Sequence, residues 1–287
     1  MRKLKHRWSV AVAAAFVVFV ASAYCVPWQA AESVHLTMGN PSEATKDEGQ
    51  PENFLMVKPQ YALSYNRKTA TPNWVSWHLT KEDLGDEDRA DDFRADDALP
   101  GDWFRVTHKS FVGSGFDRGH MCPSGDRTKN EPNNSATFLM TNMVPQAPRN
   151  NRRPWRDLEM YCRELVLKGN RELYIICGPE GKGGTGKKGL RKTLTDAETD
   201  EKINVPQFTW KVIMVLRRGN NDLSRVNAET RLIAVIMPNA QTIDLDWTEQ
   251  RVSVDEVEEL TEFDFFSKVP VAIQKAIEKD VDDVEIE

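Results

Sequence analysis

Five apolar runs, each bounded by turn-forming residues, constrain the fold of this 287-residue chain more than any other feature. Runs of this kind predict β-strands. Few helical patterns lie between them, so the chain lacks the regular strand and helix alternation of a parallel, doubly wound sheet. We therefore expect an α+β fold with a largely antiparallel central sheet flanked by helices. The expected strands cover residues 74–79, 137–142, 172–177, 208–216 and 231–237.

One helix is expected from Pro154 to Lys168. Proline suits the first turn of a helix, where its missing N–H would be unpaired anyway, and Gly169 with Asn170 supplies a stop. Asn151 would then lie just ahead of the helix, in the entering loop. The packing face is marked by apolar residues at helical spacing, namely Leu158, Cys162, Leu165 and Val166.

Two further helical segments lie near the C-terminus. Ser253 and Glu256 have the spacing of a capping box, which predicts a short helix through Leu260. Residues 270–279 form another amphipathic pattern.

The N-terminus has the pattern of an export signal. An apolar run over residues 10–20 is followed by small residues, Ala21-Ser22-Ala23, that suit cleavage. We expect a signal peptide over residues 1–23 and a secreted or periplasmic protein. The alternative is a retained membrane anchor, because residues 8–31 carry no charge, although Pro27 and the brevity of the apolar run argue against it. The basic residues that precede the run are Arg2, Lys3, Lys5 and Arg7.

Residues 39–53 are polar and poor in apolar side chains, which is typical of a flexible linker. We expect this linker to cover residues 24–53. A single folded domain would then occupy residues 54–287 and end in an acidic tail.

Charge is distributed unevenly along the chain. The whole sequence has a net charge of −6, but residues 101–192 carry a net of +8 and residues 243–287 a net of −11. An evenly acidic surface would repel phosphate. The uneven distribution favours a positive cleft within an acidic protein, although solvated surfaces of either sign would give the same counts.

The basic region contains a pattern typical of an active site. Asp117-Arg118-Gly119-His120 is followed by Asn151, Trp155, Glu159 and Arg163 at a strict four-residue spacing. A four-residue step on a helix returns to nearly the same face. We expect Asn151, Glu159 and Arg163 to project together, toward whatever His120 faces.

These residue types suit phosphodiester hydrolysis, which needs an activated water, neutralised phosphate and a stabilised leaving oxygen. His120 can act as general base, because an imidazole titrates near neutrality. The Asn151 carbonyl oxygen suits a hard cation such as Mg²⁺. Glu159 and Arg163 can hold metal-bound waters or the phosphate; the alternative is an ordinary surface ion pair.

Three motifs together resemble one enzyme family. They are residues 117–120, Thr-Asn-Met-Val-Pro-Gln at 141–146, and Asn151 through Trp155 to Leu158-Glu159. The set resembles the signature of the sugar-non-specific DNA/RNA endonucleases with a ββα-metal, or His-Me finger, site, in particular the secreted or periplasmic nucleases of cyanobacteria. The resemblance extends from about Asn73 to residues 252–266.

The resemblance implies a role for each matched residue. His120 would be the general base, and Asn151 the only direct protein ligand of a hydrated Mg²⁺ or Mn²⁺. Glu159 would hydrogen-bond a metal-bound water, while Arg118 and Arg163 would contact phosphate or product.

Two more positions match the family less tightly. Arg89 matches an arginine that binds the phosphate, and Asn142 an asparagine that supports the site. The resemblance also implies cleavage of DNA and RNA to 5′-phosphate ends. Contacts to phosphate carry no sequence information, so little sequence preference is expected.

Other features carry weaker expectations. Residues 181–187 match half of a phosphate-binding loop, but Lys188 stands where Ser or Thr would hold Mg²⁺, so we expect a mobile basic loop that touches nucleic acid. A disulfide is permitted in an exported protein, and Cys122 with Cys177 is the pair we expect. Large aromatics in strand-like runs indicate core positions. These aromatics are Trp74, Trp77, Trp103 and Trp210.

The sequence therefore predicts a metal-dependent endonuclease acting on DNA and RNA, and it leaves an inhibitor protein open as a further partner. Two alternatives remain open at this point. One is a phosphodiesterase that acts on a smaller substrate with the same site, and the other is a surface protein that binds nucleic acid without turnover. The sequence leaves the oligomeric state and the biological role open.

Overall fold

A seven-stranded antiparallel sheet forms the centre of the computed structural model, which describes residues 33–286. The predicted signal peptide lies outside the described residues. The strands of the sheet follow the order β1-β2-β3-β6-β11-β12-β13. Their bounds are Phe54–Val57 (β1), Ala62–Asn66 (β2), Thr71–Leu79 (β3), Arg171–Glu180 (β6), Phe208–Arg217 (β11), Arg231–Pro238 (β12) and Arg251–Val252 (β13).

Six short strands form three separate antiparallel pairs. They are Asp117–His120 (β4) with Met143–Gln146 (β5), Gly184–Gly186 (β7) with Gly189–Arg191 (β8), and Thr193–Thr195 (β9) with Lys202–Asn204 (β10). The α-helices are Glu131–Ala136 (α1), Pro148–Asn150 (α2), Arg156–Gly169 (α3), Asp222–Arg225 (α4), Val254–Thr261 (α5) and Val271–Ile277 (α6).

Both faces of the central sheet are buried, and this explains the continuous apolar runs of its inner strands. Successive side chains of a strand point to opposite faces. In β11, Ile213 packs into one hydrophobic cluster, while Val212 and Met214 pack into another on the opposite face. The α+β class and the antiparallel sheet are thus confirmed.

Helix α3 covers one face of the sheet, and the C-terminal helices cover the other. The apolar residues predicted for the packing face of α3 do pack there, since Leu158, Cys162 and Val166 are buried against the first cluster. On the opposite face, α5 opens with the predicted capping box at Ser253, and α6 follows it. The acidic tail is held down as well, because the buried Asp282 carboxylate pairs with Arg231.

The predicted strand at 137–142 is wrong. Residues Met140–Asn142 form a 3₁₀ turn, and β5 begins only at Met143. The backbone of the apolar run is satisfied outside a ladder of strands, because the Phe138 N–H donates to the Ser135 carbonyl and the Met140 N–H donates to the Arg94 carbonyl. An apolar run alone does not distinguish a strand from a buried turn.

The helix that carries the site begins earlier than predicted. Residues Pro148–Asn150 are already helical, and a wide π-helical turn, Asn151–Trp155, joins them to α3. Asn151 is therefore part of the helical segment and not of an entering loop. Pro154 has no N–H for a regular helical hydrogen bond, and a π-turn accommodates that gap. The predicted stop is confirmed, because Asn170 adopts the left-handed conformation at φ 50°.

The expected flexible linker is ordered over its described part, residues 33–53. Leu36, Met38 and Ala44 are buried in the second hydrophobic cluster. The Ser42 hydroxyl also accepts a hydrogen bond of 2.7 Å from the indole of Trp74. Polar composition concealed these few apolar anchors, and the folded unit begins before Phe54.

The expected disulfide is not formed, because Cys122 and Cys177 are both free, buried thiols. The Cys177 sulfur instead contacts the Met121 sulfur at 3.8 Å.

The four tryptophans expected in the core are all buried. Within residues 33–286, no helix is both long enough and apolar enough to cross a membrane.

Candidate active site

Two side chains, one helical turn apart, fasten the start of the long helix along strand β4. The Asn151 amide donates a hydrogen bond of 2.9 Å to the Asp117 carboxylate at one end of the strand. The Trp155 indole N–H donates one of 3.3 Å to the His120 carbonyl at the other end. The β4–β5 hairpin and this helix together form a ββα unit. His120 and Asn151, 31 positions apart in sequence, are thereby held on adjoining elements.

Two phenylalanine rings cover the His120 side chain, and only 8% of the residue's surface is exposed. Its ring packs edge-on against Phe138 at 4.9 Å and tilted against Phe93 at 5.5 Å between centroids. Burial, with smaller contributions from the Arg89 and Arg118 charges, lowers the pKa of His120 to about 3. The ring is therefore neutral near pH 7, in the form that accepts a proton. Its Nε2 atom is buried and has no hydrogen-bond partner in the structure.

Asn142 clamps the chain that follows His120. Its side-chain oxygen accepts from the Cys122 N–H at 2.9 Å, and its amide donates to the carbonyls of Cys122 and Thr137 at 2.8 and 2.9 Å. The residue is fully buried. Asn142 therefore holds the backbone that follows His120 and does not line the cleft.

Gly119 is required by close packing between the two strands of the hairpin. A Cβ atom at this position would lie 2.2 Å from the side-chain oxygen of Gln146 on β5. Any larger residue would push β4 away from β5, and His120 with it.

The Glu159 carboxylate lies close to the buried side chain of Lys211. The Lys211 ammonium, on β11, is 3.9 Å from the Glu159 carboxylate and 4.0 Å from the centre of the Trp155 ring. Burial raises the pKa of Glu159 to about 7, although the charges of Lys211 and Arg163 act in the opposite direction. The carboxylate is thus poised between its two forms near neutral pH.

Arg163 is engaged by a buried acid. Its guanidinium donates to the Asp126 carboxylate at 2.8 Å, and Asp126 also accepts from the Trp77 indole at 3.0 Å. Arg163 thus lies beside Glu159, as the helical spacing predicted. It does not line the open cleft, and its charge is largely compensated.

Arg89 and Arg118 flank the mouth of the site. Arg118 stacks over Phe93 at 3.9 Å, and Arg89 over Phe138 at 4.7 Å. The Arg89 guanidinium also donates to the Ser124 hydroxyl at 3.0 Å. The cleft beside them has a volume of about 320 Å³. It is lined by Arg89, Asp91, Phe93, His108, Phe111, Val112, Phe116, Asp117, Arg118, Asn151 and Arg152.

The donor set fits a hydrated divalent cation. The Asn151 amide nitrogen is used by Asp117, which directs the carbonyl oxygen of the same amide away from that bond. A neutral oxygen of this kind suits an ion that keeps most of its waters, and Glu159 offers a carboxylate two helical turns further along the same helical segment. Asn151 would hold the ion, and Glu159 would hold one of its waters.

Two other acidic groupings are built differently. His78, Glu172 and Asp222 lie within ligand distance of one another, but Arg225 pairs with both carboxylates and supplies the positive charge itself. The second grouping, Asp255, Glu258 and Glu278, lies on the C-terminal helices. Neither contributes to the cleft.

Comparison with known proteins assigns the family. The model for DNA/RNA non-specific endonucleases matches residues 38–272. This chain belongs to that family. It is therefore an endonuclease that hydrolyses nucleic acids, and the family is one of metal-dependent nucleases. The resemblance drawn from the three sequence motifs is confirmed.

Individual relatives agree with this assignment. A nuclease of Nostoc sp. is 51% identical over 87% of this chain and 86% of its own length. Nuclease C1 of Cunninghamella echinulata is 35% identical over 79% of this chain and 87% of its own length. Among solved structures, the crystal structure of the EndoG/EndoGI complex aligns with a TM-score of 0.66 at 25% identity, covering 83% of this chain and 91% of that one.

Three residues of the site were not singled out from the sequence. Asp117 belongs to the Asp-Arg-Gly-His motif, but nothing in the linear pattern shows that it orients Asn151. Lys211 is the one lysine in an otherwise largely apolar strand, and that exception is the feature by which the sequence could have identified it. Phe138 covers His120 from the 137–142 segment, whose apolar pattern wrongly predicts a strand.

Proposed function

We propose that His120 is the general base and that Asn151 and Glu159 hold a hydrated Mg²⁺ ion in this endonuclease. The observation that supports this most directly is the pair of hydrogen bonds from Asn151 to Asp117 and from Trp155 to His120. These bonds join the start of the helix to the strand that carries His120, and among residues 33–286 the Nε2 atom of His120 is the one buried histidine nitrogen without a hydrogen-bond partner.

His120 would take the proton of the attacking water. The neutral ring has an unpaired acceptor, and the aromatic cover keeps bulk water from competing for it. Arg118 and Arg89 would bind the phosphate, since a guanidinium pairs two phosphate oxygens at once and stays charged. Their stacking on Phe93 and Phe138 fixes the two guanidinium planes before substrate arrives.

Asn151 and Glu159 would position the metal and its water. When bound, the divalent cation supplies charge neutralisation for the departing oxygen and acidified water molecules. Asp117 orients the Asn151 amide, and Lys211 favours the ionised form of Glu159. We propose Mg²⁺, with Mn²⁺ as a substitute, because an amide oxygen and a carboxylate are hard ligands. Arg163 is proposed to contact phosphate or product only after its bond to Asp126 rearranges.

The cleft geometry favours long nucleic acid over a small diester. It is open, and three arginines line it, Arg89, Arg118 and Arg152, which offer positive charge to more than one phosphate. Phosphate contacts support hydrolysis of both DNA and RNA with little sequence preference.

We also propose that the protein is exported, on the basis of the basic and apolar pattern at its N-terminus. An inhibitor protein that covers the cleft is a further proposed partner. The likeness to EndoG, whose structure was solved in complex with EndoGI, supports it.

The direct experiment incubates the purified protein with plasmid DNA and with RNA, with Mg²⁺ or with EDTA. We expect both polymers to be cut to 5′-phosphate ends with Mg²⁺ and to remain intact with EDTA. A preference for a small phosphodiester over plasmid would support the smaller-substrate alternative. Binding of DNA without any cutting would support a non-catalytic protein.

A further inference from the structure

The β7–β8 hairpin extends a positively charged surface away from the catalytic cleft. Lys187 and Lys188 form its turn, Arg191 ends its second strand and Lys192 follows directly after it, all of them exposed. Lys187, Arg191 and Lys192 make no ion pair with any residue of the described chain. Their charge is therefore available to an outside partner.

The hairpin is fixed in place, which corrects our expectation of a mobile loop. The Lys187 N–H donates to the Gly115 carbonyl at 3.0 Å, and the Lys188 ammonium donates to the Gly113 carbonyl at 2.6 Å. The fit is close, because a Cβ atom on Gly186 would lie 2.6 Å from the Gly115 oxygen and 2.8 Å from the Phe116 ring. Since Phe116 lines the cleft, the hairpin and the cleft wall form one preorganised surface.

A second depression continues the cleft on the far side of Val112. Val112 is 77% exposed and borders both hollows. The second hollow has a volume of about 210 Å³. Its lining residues are Ser110, Val112, Gly113, Ser114, Arg191, Thr193, Leu194 and Thr195. One path therefore leads from the catalytic residues, over an exposed aliphatic side chain, to Arg191.

The chemistry of this second hollow suits a phosphate and its sugar. Arg191 offers a guanidinium, and serine and threonine residues line the same hollow. The acids nearby are already engaged: the Asp196 carboxylate accepts hydrogen bonds from Ser110 and Thr199, and Glu198 pairs with Lys109 at 2.9 Å. No base-reading arrangement is needed for contacts of this type.

We propose that one strand of the nucleic acid runs from the catalytic cleft over Val112 and places neighbouring phosphates on a second subsite, with Arg191 in the adjoining hollow and Lys187 at the turn of the β7–β8 hairpin. This inference rests on the proposed function of the cleft. A strand carries a phosphate about every 3.4 Å along its helix axis, so a polymer engaged at the cleft has further phosphates to place along this surface. A small diester has none.

Binding measurements on a cleavage-deficient background test the subsite. In the His120→Ala chain, fluorescence anisotropy would report binding of a single-stranded oligonucleotide of about 12 nucleotides and of a dinucleotide over a series of salt concentrations. The variant is Lys187→Gln with Arg191→Gln. Lys275→Gln serves as the control, because Lys275 is exposed on α6 and distant in sequence from the site.

We expect the double variant to lower the slope of log affinity against log salt for the long oligonucleotide by about 1.4, at about 0.7 per phosphate contact. Its affinity for the long oligonucleotide should fall on the order of tenfold at moderate salt, and more than for the dinucleotide. The Lys275→Gln control should match the background protein. Lys192→Gln provides an independent variant of the same surface and should give a smaller loss of the same kind.

Unchanged slopes in the double variant and in Lys192→Gln would overturn the second subsite. So would equal losses for the long oligonucleotide and the dinucleotide. Failure of the proposed function is a separate outcome, because it would appear as intact plasmid and RNA with the unmodified protein and Mg²⁺. Cutting by the unmodified protein together with unchanged slopes would reject the subsite alone.

Discussion

At the scale of single residues, the site depends on side chains that orient or charge-stabilise the side chains proposed to hold the metal. Asp117 does not need to touch substrate to matter, since it fixes the amide of Asn151 and also pairs with Arg152 through two bonds of 2.7 Å. Lys211 similarly acts on Glu159 from the buried side of the helix.

Replacing Asp117 with alanine should weaken the apparent affinity for Mg²⁺ by roughly 10- to 100-fold, the usual cost of removing a residue that orients a metal ligand. The measurement is the rate of plasmid cleavage as a function of Mg²⁺ concentration. Arg152→Ala is the matched control, because it removes the other partner of Asp117 and leaves the bond to Asn151. Equal metal dependence in the two variants would argue against an orienting role for Asp117.

Replacing Lys211 with methionine should shift the acidic limb of the pH–rate profile to higher pH. His120 is neutral down to about pH 3, so near neutrality the limb reports the ionisation of Glu159, whose pKa is about 7. Lys211 lowers that pKa, and its removal should raise it further, so that the active, ionised carboxylate forms only at higher pH. The test is kcat/KM measured from acid to alkaline pH. Lys275→Met, at an exposed position, should leave the profile unchanged, and a shared profile for all three proteins would contradict the assignment.

At the scale of elements, the ββα unit is held together by buried hydrogen bonds and not only by apolar packing. Asn142 joins the turn after β4 to the turn before β5 through three side-chain bonds. The hairpin that carries His120 therefore depends on one buried amide.

Replacing Asn142 with alanine should lower the free energy of unfolding by about 3 kcal/mol, because buried backbone groups of Cys122 and Thr137 would lose their partner. Urea unfolding would measure the loss. Asn204→Ala is a suitable comparison, since its amide makes a single exposed bond to Gly181, and its effect should stay within about 0.5 kcal/mol. Similar unfolding midpoints for the two variants would show that the clamp contributes little.

Sequence patterns predicted elements where one physical signal dominated. The strand at 208–216, the Ser253 capping box and the Asn170 stop are each encoded within a few neighbouring residues. The errors arose where distant contacts decide. The backbone of the 137–142 segment bonds to the distant Arg94, and the π-turn around Pro154, which extends the helix back to residue 148, is fastened to Asp117 through Asn151.

The same limit applies to the site. The four-residue spacing predicted correctly that Glu159 and Arg163 lie on one helical face. It could not show that Asp126 engages Arg163, or that Lys211 lies under Glu159, because both partners come from elements far away in sequence.

At the scale of the whole molecule, the folded unit extends further toward the N-terminus than its composition suggests. Leu36 and Met38 fill the cluster on the face of the sheet opposite the site. Each buried side chain of this size contributes about 1.5–3 kcal/mol.

A chain that begins at Phe54 should therefore be less stable by several kcal/mol than one that begins at Ser33, which is a large share of the stability of a typical domain. Thermal and urea unfolding of the two chains would measure the difference. Indistinguishable transitions would mean that residues 33–53 add no stability despite their burial.

Charge is also organised at this scale. The net of −6 conceals a basic cleft and hairpin in one region and an acidic C-terminal region that folds onto the domain through Asp282. An acidic protein can therefore present a positive surface to nucleic acid where the chemistry takes place.

The most direct measurement compares cleavage and binding in the His120→Ala chain. With Mg²⁺ and plasmid DNA, the rate should fall on the order of 10²- to 10⁴-fold, the scale expected for a lost general base, while DNA affinity stays close to that of the unmodified protein. Cleavage at the normal rate by His120→Ala would contradict the role of His120 and the mechanism built on it.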